Sequence, residues 1–283
     1  MCRMVGYLGP ALALRELVSQ GPHSLVVQSY RPRKMTSGTV NADGFGAALW
    51  LDDSVPEPAL YRTGAPIWAD PNLGWMGDRL RVRAALAAVR SATPGIGYEL
   101  PNVQPFVRGR IAFVHNGFIE GFRHGPQRRI RERLGKAAYE SIAGSSDSEH
   151  LFALVLDALD KGAGSLGEAL RRGLRALGEV CESERRKAVA TVVLSDGAEL
   201  VGCRWAHGAL PATLSLARFP VAGEGASALG VRSVGFCVAS EPIDVAHGEP
   251  RERWRELEAA SLFSVGPALR QEPLPEPVLE PLE

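Results

Sequence analysis

The sequence predicts an α+β protein built on largely antiparallel sheet, and three observations carry that expectation. Apolar, strand-like segments come in runs, at 3–8, 44–51, 84–90 and 111–115 and again at 188–195, 199–204 and 234–239. A central block of helices separates the two runs, which does not fit a doubly wound fold of alternating strands and helices. Asp196-Gly197 sits between two of the later strands and is a hairpin signal, and hairpins join antiparallel neighbours.

Each element has its own local reason. The first strand, 3–8, is expected to end at Gly9-Pro10, and 11–19 to follow as a helix with Leu14, Leu17 and Val18 on one face. Residues 44–51 read as a strand that begins at glycines, and 84–90 and 111–115 as buried strands. A helix is predicted from Ser146 to Asp160, because Ser146 and Glu149 form a capping-box pair ahead of LFALVLDAL. Residues 165–180 repeat the device with Ser165 and Glu168, and Leu166, Leu170, Leu174 and Leu177 fall on one side. The polar stretch 120–145 reads as an edge insertion. Residues 1–271 read as one domain, and the Pro/Glu-rich segment 272–283 as an extended or disordered tail.

Composition excludes several classes of function. Lys+Arg and Asp+Glu are both 32 in a chain of 283 residues, so no net basic field exists to hold nucleic acid or an anionic membrane. The one basic cluster, Arg123 to Arg133 with Lys136, is interleaved with Glu132, Ile130 and Leu134 at helical spacing and reads as a solvated helix face. Cys2, Cys181, Cys203 and Cys237 are widely spaced, without CxxC or a Cys/His cluster of zinc spacing. Sparse, unpatterned cysteine suits a reducing compartment, and no apolar stretch approaches the ~18 residues of a membrane span. Residues 4–14 imitate a signal-peptide core, but only Arg3 supplies charge and Gly9-Pro10 interrupts the run. The expectation is a cytoplasmic protein.

Cys2 is the residue with the most distinctive chemistry. Removal of Met1 would leave a thiol and a free α-amine on one Cα. An α-amine titrates near pH ~8, so part of it is an unprotonated base at neutral pH. Nucleophile and base then need no histidine between them.

Four other segments carry a structural and a functional reading side by side. Asn41-Ala-Asp-Gly-Phe-Gly46 is a glycine turn feeding a strand, without the spacing of a dinucleotide fingerprint. Arg90 ends the strand 84–90, where it serves either a structural ion pair or a bidentate carboxylate site. His115-Asn116-Gly117 closes the strand 111–115 as a turn, or offers the Asn116 amide and the Gly117 N–H as an oxyanion hole, with His115 a packed, hydrogen-bonded residue. Asp147 complements a helix N-terminus, holds a substrate ammonium, or does both. Together these parts describe a pocket for a zwitterion, with Arg90 on an α-carboxylate, Asp147 on an α-ammonium and Cys2 at a carbonyl further along. A small γ-glutamyl compound has that layout.

The set resembles the class II glutamine amidotransferases, N-terminal-nucleophile hydrolases with a cysteine after the initiator methionine. The matching segments are Met1-Cys2-Arg3, NADGFG (41–46), VRSATPG (89–95), NVQPF (102–106), HNG (115–117), SSDSE (145–149) and ASEP (239–242). Within that family Met1-Cys2-Arg3 and the segments 23–46, 65–70 and 86–95 are most similar to a stand-alone branch that hydrolyses γ-glutamyl hercynylcysteine sulfoxide in ergothioneine biosynthesis. Gln104 departs from the pattern, standing where many relatives have histidine.

The resemblance implies a four-layer αββα sandwich with Cys2 at the end of a central strand. It gives Thr93 a hydrogen bond near the glutamyl head, beside Arg90 and Asp147. It implies a Cys2 thioester, an oxyanion held by Asn116 and Gly117, and no metal or organic cofactor. Two other outcomes stay open. One is a glutathione-type γ-glutamyl hydrolase or glutaminase, since the named residues see only the shared glutamyl part. The other is a subunit that passes ammonia to a synthase. Oligomeric state is not encoded in any segment named above.

Overall fold

The computed structural model describes residues 2–35, 38–52, 54–91, 99–221, 233–243, 254–266 and 278–282. The first half of the chain supplies β1 (Arg3–Ala13), α1 (Leu14–Val18), α2 (Leu25–Tyr30), β2 (Phe45–Trp50), β3 (Ala59–Thr63), α3 (Leu73–Arg79), β4 (Arg81–Val89), β5 (Phe106–Arg108) and β6 (Ile111–Ile119). Four helices follow: α4 (Pro126–Arg133), α5 (Lys136–Glu140), α6 (Asp147–Asp160) and α7 (Leu166–Glu184). The remaining strands are β7 (Ala188–Ser195), β8 (Leu200–His207), β9 (Ser215–Val221), β10 (Ser233–Ala239), β11 (Arg255–Glu256), β12 (Ser261–Val265) and β13 (Val278–Pro281).

Two antiparallel sheets result, a seven-stranded one in the order β11-β9-β10-β1-β4-β2-β3 and a six-stranded one in the order β13-β12-β8-β7-β6-β5. They pack face to face through Met4, Leu8, Ala48, Leu86 and Ala88 of the first and Ala112, Val114 and Val193 of the second. Leu14, Leu17, Leu25 and Leu73 of α1, α2 and α3 cover the outer face of the first sheet. The helices α4 to α7 cover the second, where Leu170, Leu174 and Leu177 of α7 are buried. Each such leucine is worth about 1.5–3 kcal/mol of burial. The molecule is the expected α+β sandwich of helix, sheet, sheet and helix layers.

The two capped helices form where expected, with one difference in detail. Ser146 accepts the Glu149 N–H and Ser165 accepts the Glu168 N–H. The glutamates do not close the box on the cap residue. Glu149 reaches back to the N–H groups of Ala143 and Gly144, and Glu168 to that of Gly164. Each helix start is thereby tied to the loop before it.

Four expectations are corrected. The first strand does not end at Gly9-Pro10; β1 runs on to Ala13, with a register shift between Leu8 and Leu12 that absorbs the proline. The strand expected at 111–115 continues to Ile119, so His115-Asn116-Gly117 lies inside it and is not a turn. The stretch 120–145 is not an edge insertion, since Ile130 of α4 and Ala138 of α5 are buried in the helix-side core. Part of the expected tail, Val278–Pro281, pairs with β12 as the edge strand of the second sheet. The basic cluster is the solvated face foreseen, ion-paired through Arg128–Glu132, Arg129–Glu184 and Arg133–Glu179.

Candidate active site

Strand alternation decides which side chains meet between the sheets. Side chains two residues apart share a face. Met4 and Leu8 of β1, Leu86 and Ala88 of β4, and Ala112 and Val114 of β6 all line the inter-sheet core. Cys2, Arg90 and Asn116 continue these three series. They also lie toward the same end. Trp50 abuts Gly197 and marks the opposite end, next to the Leu8–Ala84 and Ala112–Ser195 pairs. Gly46 abuts the Gln104 carbonyl and marks this end, close to His115. A side chain at Gly46 would overlap that carbonyl, so the close approach requires glycine.

Cys2 is half-buried, its Sγ 3.9 Å from the Ser91 carbonyl oxygen. It follows directly from the Arg3–Val89 pair of the β1–β4 ladder. Arg90 is buried, and its backbone holds the glycine turn on the other side. The Asp43 N–H donates to the Arg90 carbonyl at 3.0 Å, and the Arg90 N–H donates to the Gly44 carbonyl at 2.8 Å. NADGFG and the end of β4 thus form one unit beside Cys2. Thr93 lies outside the described residues.

His115-Asn116-Gly117 stays extended because side chains replace the missing strand partner. The short strand β5 pairs only as far as Phe113. Beyond it the Gln104 amide takes over, accepting the His115 N–H and donating to the His115 carbonyl. Two residues further on, the Ile119 N–H donates to Asp147 Oδ2 at 2.9 Å. Alternate N–H groups of a strand point to one edge. The Gly117 N–H therefore points to the same open edge, between these two. The Asn116 side chain is fully buried, and neither its Nδ2 nor its Oδ1 has a hydrogen-bond partner among the described residues.

The His115 imidazole is packed and neutral. Its Nε2 lies 3.0 Å from the Val189 carbonyl, which can only accept, so Nε2 carries the proton and Nδ1 accepts from the Ser148 hydroxyl at 2.8 Å. Burial lowers its pKa, against the opposing charge of Asp147. Asp147 opens α6 and is itself buried, with Oδ1 accepting the Ser148 N–H at 2.9 Å. Both of its oxygens thus fix backbone, and its helix-start role is part of the structure.

Sequence reasoning missed a buried charge cluster next to Cys2. Arg3 Nη1 lies 3.1 Å from Glu241 Oε1, and His23 Nε2 lies 2.8 Å from Glu241 Oε2, all three side chains buried. The N–H groups of Arg33 and Lys34 also donate to this carboxylate. Burial alone would raise the Glu241 pKa. The His23 hydrogen bond, the two N–H donors and the Arg3 charge outweigh it and bring the carboxyl down to about 2. The signal was present in the segments Met1-Cys2-Arg3 and ASEP, 238 residues apart from Arg3 to Glu241.

Elsewhere, a groove of about 630 Å³ runs between α7 and β8, lined by Arg171, Arg175, Trp205 and His207 among others. Trp205 and His207 share a phase with Val201 and Cys203, which face the helices. The groove therefore lies on the far face of the second sheet from Cys2. Among the described residues no group of three or more His, Cys, Asp or Glu could hold a metal ion, and no helix is long and apolar enough to cross a membrane.

Known proteins resemble this chain in sequence and in fold. Residues 18–263 match the model of a family described as glutamine amidotransferases class-II. The gamma-glutamyl-hercynylcysteine sulfoxide hydrolase of Mycobacterium tuberculosis is 32% identical over 245 residues, 86% of each chain. The protein of the same name from Mycolicibacterium smegmatis is 36% identical over 59% of this chain and 70% of its own. A yeast protein, probable glutamine amidotransferase DUG3 of Saccharomyces cerevisiae, is 35% identical over 57% of this chain and 46% of its own. The structure of a glutamine aminotransferase class-II domain protein from Silicibacter pomeroyi superposes with a TM-score of 0.66 over the full length of both chains, at 22% identity. With the family match spanning most of its length, this chain belongs to the class II glutamine amidotransferases.

Proposed function

We propose that this protein is an amidohydrolase that cleaves γ-glutamyl hercynylcysteine sulfoxide to glutamate and hercynylcysteine sulfoxide. The observation that carries the chemistry is the buried Asn116 amide, unpartnered among the described residues and in the same inter-sheet phase as Cys2 and Arg90. Leaving a buried amide unsatisfied costs about 1–3 kcal/mol, so a group that completes it is expected during the reaction. The choice of leaving group is supported by the two mycobacterial relatives of that name, at 32% and 36% identity. The free, scattered cysteines fit a cytoplasmic setting.

In this scheme Met1 is removed and the Cys2 α-amine accepts the thiol proton. Arg90 takes the substrate α-carboxylate, while Thr93 and the lone pairs left on Asp147 hold the glutamyl head. The thiolate attacks the γ-carbonyl carbon. The oxyanion sits between the Asn116 Nδ2 and the Gly117 N–H, each donor lowering the barrier by about 3 kcal/mol. The tetrahedral centre collapses, the C–N bond breaks, and the ammonium of Cys2 gives its proton to the departing amine. Water, deprotonated by the same amine, then hydrolyses the thioester and releases glutamate.

A second reading, release of the amide of glutamine or of a glutathione-like peptide, is favoured by the yeast relative, described as a probable glutamine amidotransferase. One experiment separates the two. Steady-state hydrolysis of γ-glutamyl hercynylcysteine sulfoxide, glutathione and glutamine is compared, using protein with Met1 removed and Cys2→Ala as the blank. A kcat/KM strongly favouring the sulfoxide is the expected result. Equal or faster turnover of glutathione or glutamine overturns the substrate assignment, and activity in Cys2→Ala overturns the mechanism.

A further inference from the structure

The strand β1 loses its ladder partner just before it reaches Cys2. On one side β4 pairs with it as far as Arg3. On the other, regular pairing with β10 ends at Val5–Ala239. The chain beyond Ala239 keeps its hold by other means. The Ser240 N–H donates to the Met4 carbonyl and Ser240 Oγ accepts the Met4 N–H, both at 3.0 Å. Glu241 then receives the Arg3 guanidinium. Residues 239, 240 and 241 thus engage residues 5, 4 and 3 in turn, the last through a salt bridge.

The salt bridge is poorly made for stability. Arg3 is fully buried, yet its Nε and Nη2 have no hydrogen-bond partner among the described residues. A buried pair of this kind is often matched or bettered by apolar side chains of similar volume, because desolvation offsets the attraction. Glu241, by contrast, is anchored without Arg3. His23, Arg33 and Lys34 hold both of its oxygens, and the Gln28 amide donates to its carbonyl at 3.0 Å. A rigid carboxylate grips a costly cation one residue from the nucleophile.

We propose that Arg3 and Glu241 are positioning residues for catalysis: Glu241 fixes Arg3, and through Arg3 it sets the direction of Cys2 at the open end of β1. The same carboxylate carries the N–H groups of Arg33 and Lys34, so the segment leading into the NADGFG turn is registered against the nucleophile at one point. This inference rests on the proposed role of Cys2 and does not depend on the leaving group.

The test uses Arg3→Met, which keeps side-chain bulk and leaves Glu241 its other donors, with Arg3→Lys as the conservative partner. Folding is read by thermal unfolding. Misplacing a reacting group by about 1 Å costs up to ~100-fold, so kcat on γ-glutamyl hercynylcysteine sulfoxide is expected to fall about 10- to 100-fold in Arg3→Met with KM little changed. Arg3→Lys should recover part of the loss. The deficit should persist at every pH between 6 and 9. A deficit that vanishes as pH rises would mean that Arg3 acts through its charge, and would overturn the positional role. So would a folded Arg3→Met enzyme with wild-type kcat.

A readout independent of the leaving group is the labelling rate of Cys2 by a glutamate-shaped diazoketone relative to iodoacetamide. The ratio is expected to drop in Arg3→Met, and an unchanged ratio also overturns the inference. Should Arg3→Met fail to fold, the same ratio in Arg3→Lys and Glu241→Gln decides the question. Wild-type protein that shows no preference for the diazoketone would instead refute the glutamyl pocket itself.

Discussion

The His115 imidazole Nε2 sits 3.0 Å from the Val189 carbonyl oxygen, directly over the backbone of Gly117. That hydrogen bond bridges two paired strands across the position of a missing side chain. A Cβ at Gly117 would overlap the Val189 oxygen and crowd the imidazole. The glycine is therefore dictated by the closeness of the Val189 carbonyl and the His115 imidazole.

Gly117→Ala is expected to fail twice. Backbone has to move, at the ~3 kcal/mol upper end of overpacking costs. In the proposed scheme any displacement of the Gly117 N–H removes one oxyanion donor, and a loss of about 10²–10³ in kcat is expected. Urea unfolding checks the first effect and single-turnover kinetics on the folded fraction the second. A variant with wild-type kcat would show that the Gly117 N–H stays outside the reaction.

Asn116→Ala should separate stability from activity. The amide is fully buried and unpartnered among the described residues, so removing it relieves about 1–3 kcal/mol of unsatisfied polar burial, set against the small cavity left behind. Stability is expected to hold or rise. The same change should lower kcat about 10²–10³-fold with KM little altered, since in the proposed scheme the donor acts on the transition state. A large loss of stability would mean that the amide has a structural partner, and the oxyanion role would lose its main support.

How much of this was legible in the sequence depends on how local the determinants are. The helices α6 and α7 and the hairpin of β7 and β8 carry their caps, faces and turn within a few residues, and all were placed closely. The edge strand β3 was missed because its side chains are exposed or half-buried and show no alternation. The continuation of β6 past His115 was missed because distant groups keep His115-Asn116-Gly117 extended, namely the Gln104 amide and the Val189 carbonyl. Gln104, the departure from the family pattern, turns out to serve the backbone of His115. Cys2, Arg90 and Asn116 were singled out from their segments, and strand phase brings them to one end of the inter-sheet space. Glu241 was not found, since nothing near it in sequence discloses Arg3 as its partner.

The pH dependence of stability should trace to His150 on α6. Burial lowers its pKa first, the Ser146 carbonyl opposes this, the Arg131 charge adds to the lowering, and the result is about 4. In the unfolded chain the same histidine titrates near ~6.5. The native state holds it neutral, so its contribution is complete above pH ~6.5 and is lost as pH falls toward 4, by about 3 kcal/mol in all. His115, also lowered by burial, works in the same direction. Glu241, with its carboxyl at about 2 against ~4.3 in the unfolded chain, loses its contribution progressively as pH falls from about 4.5 toward 2. His150→Gln should start from a lower stability at neutral pH, having lost its edge-on packing against Phe122. Its stability should then decline less steeply than wild type between pH 7 and 4.5. Urea unfolding at half-unit pH steps measures the difference. Parallel curves for the two proteins would place the acid sensitivity elsewhere.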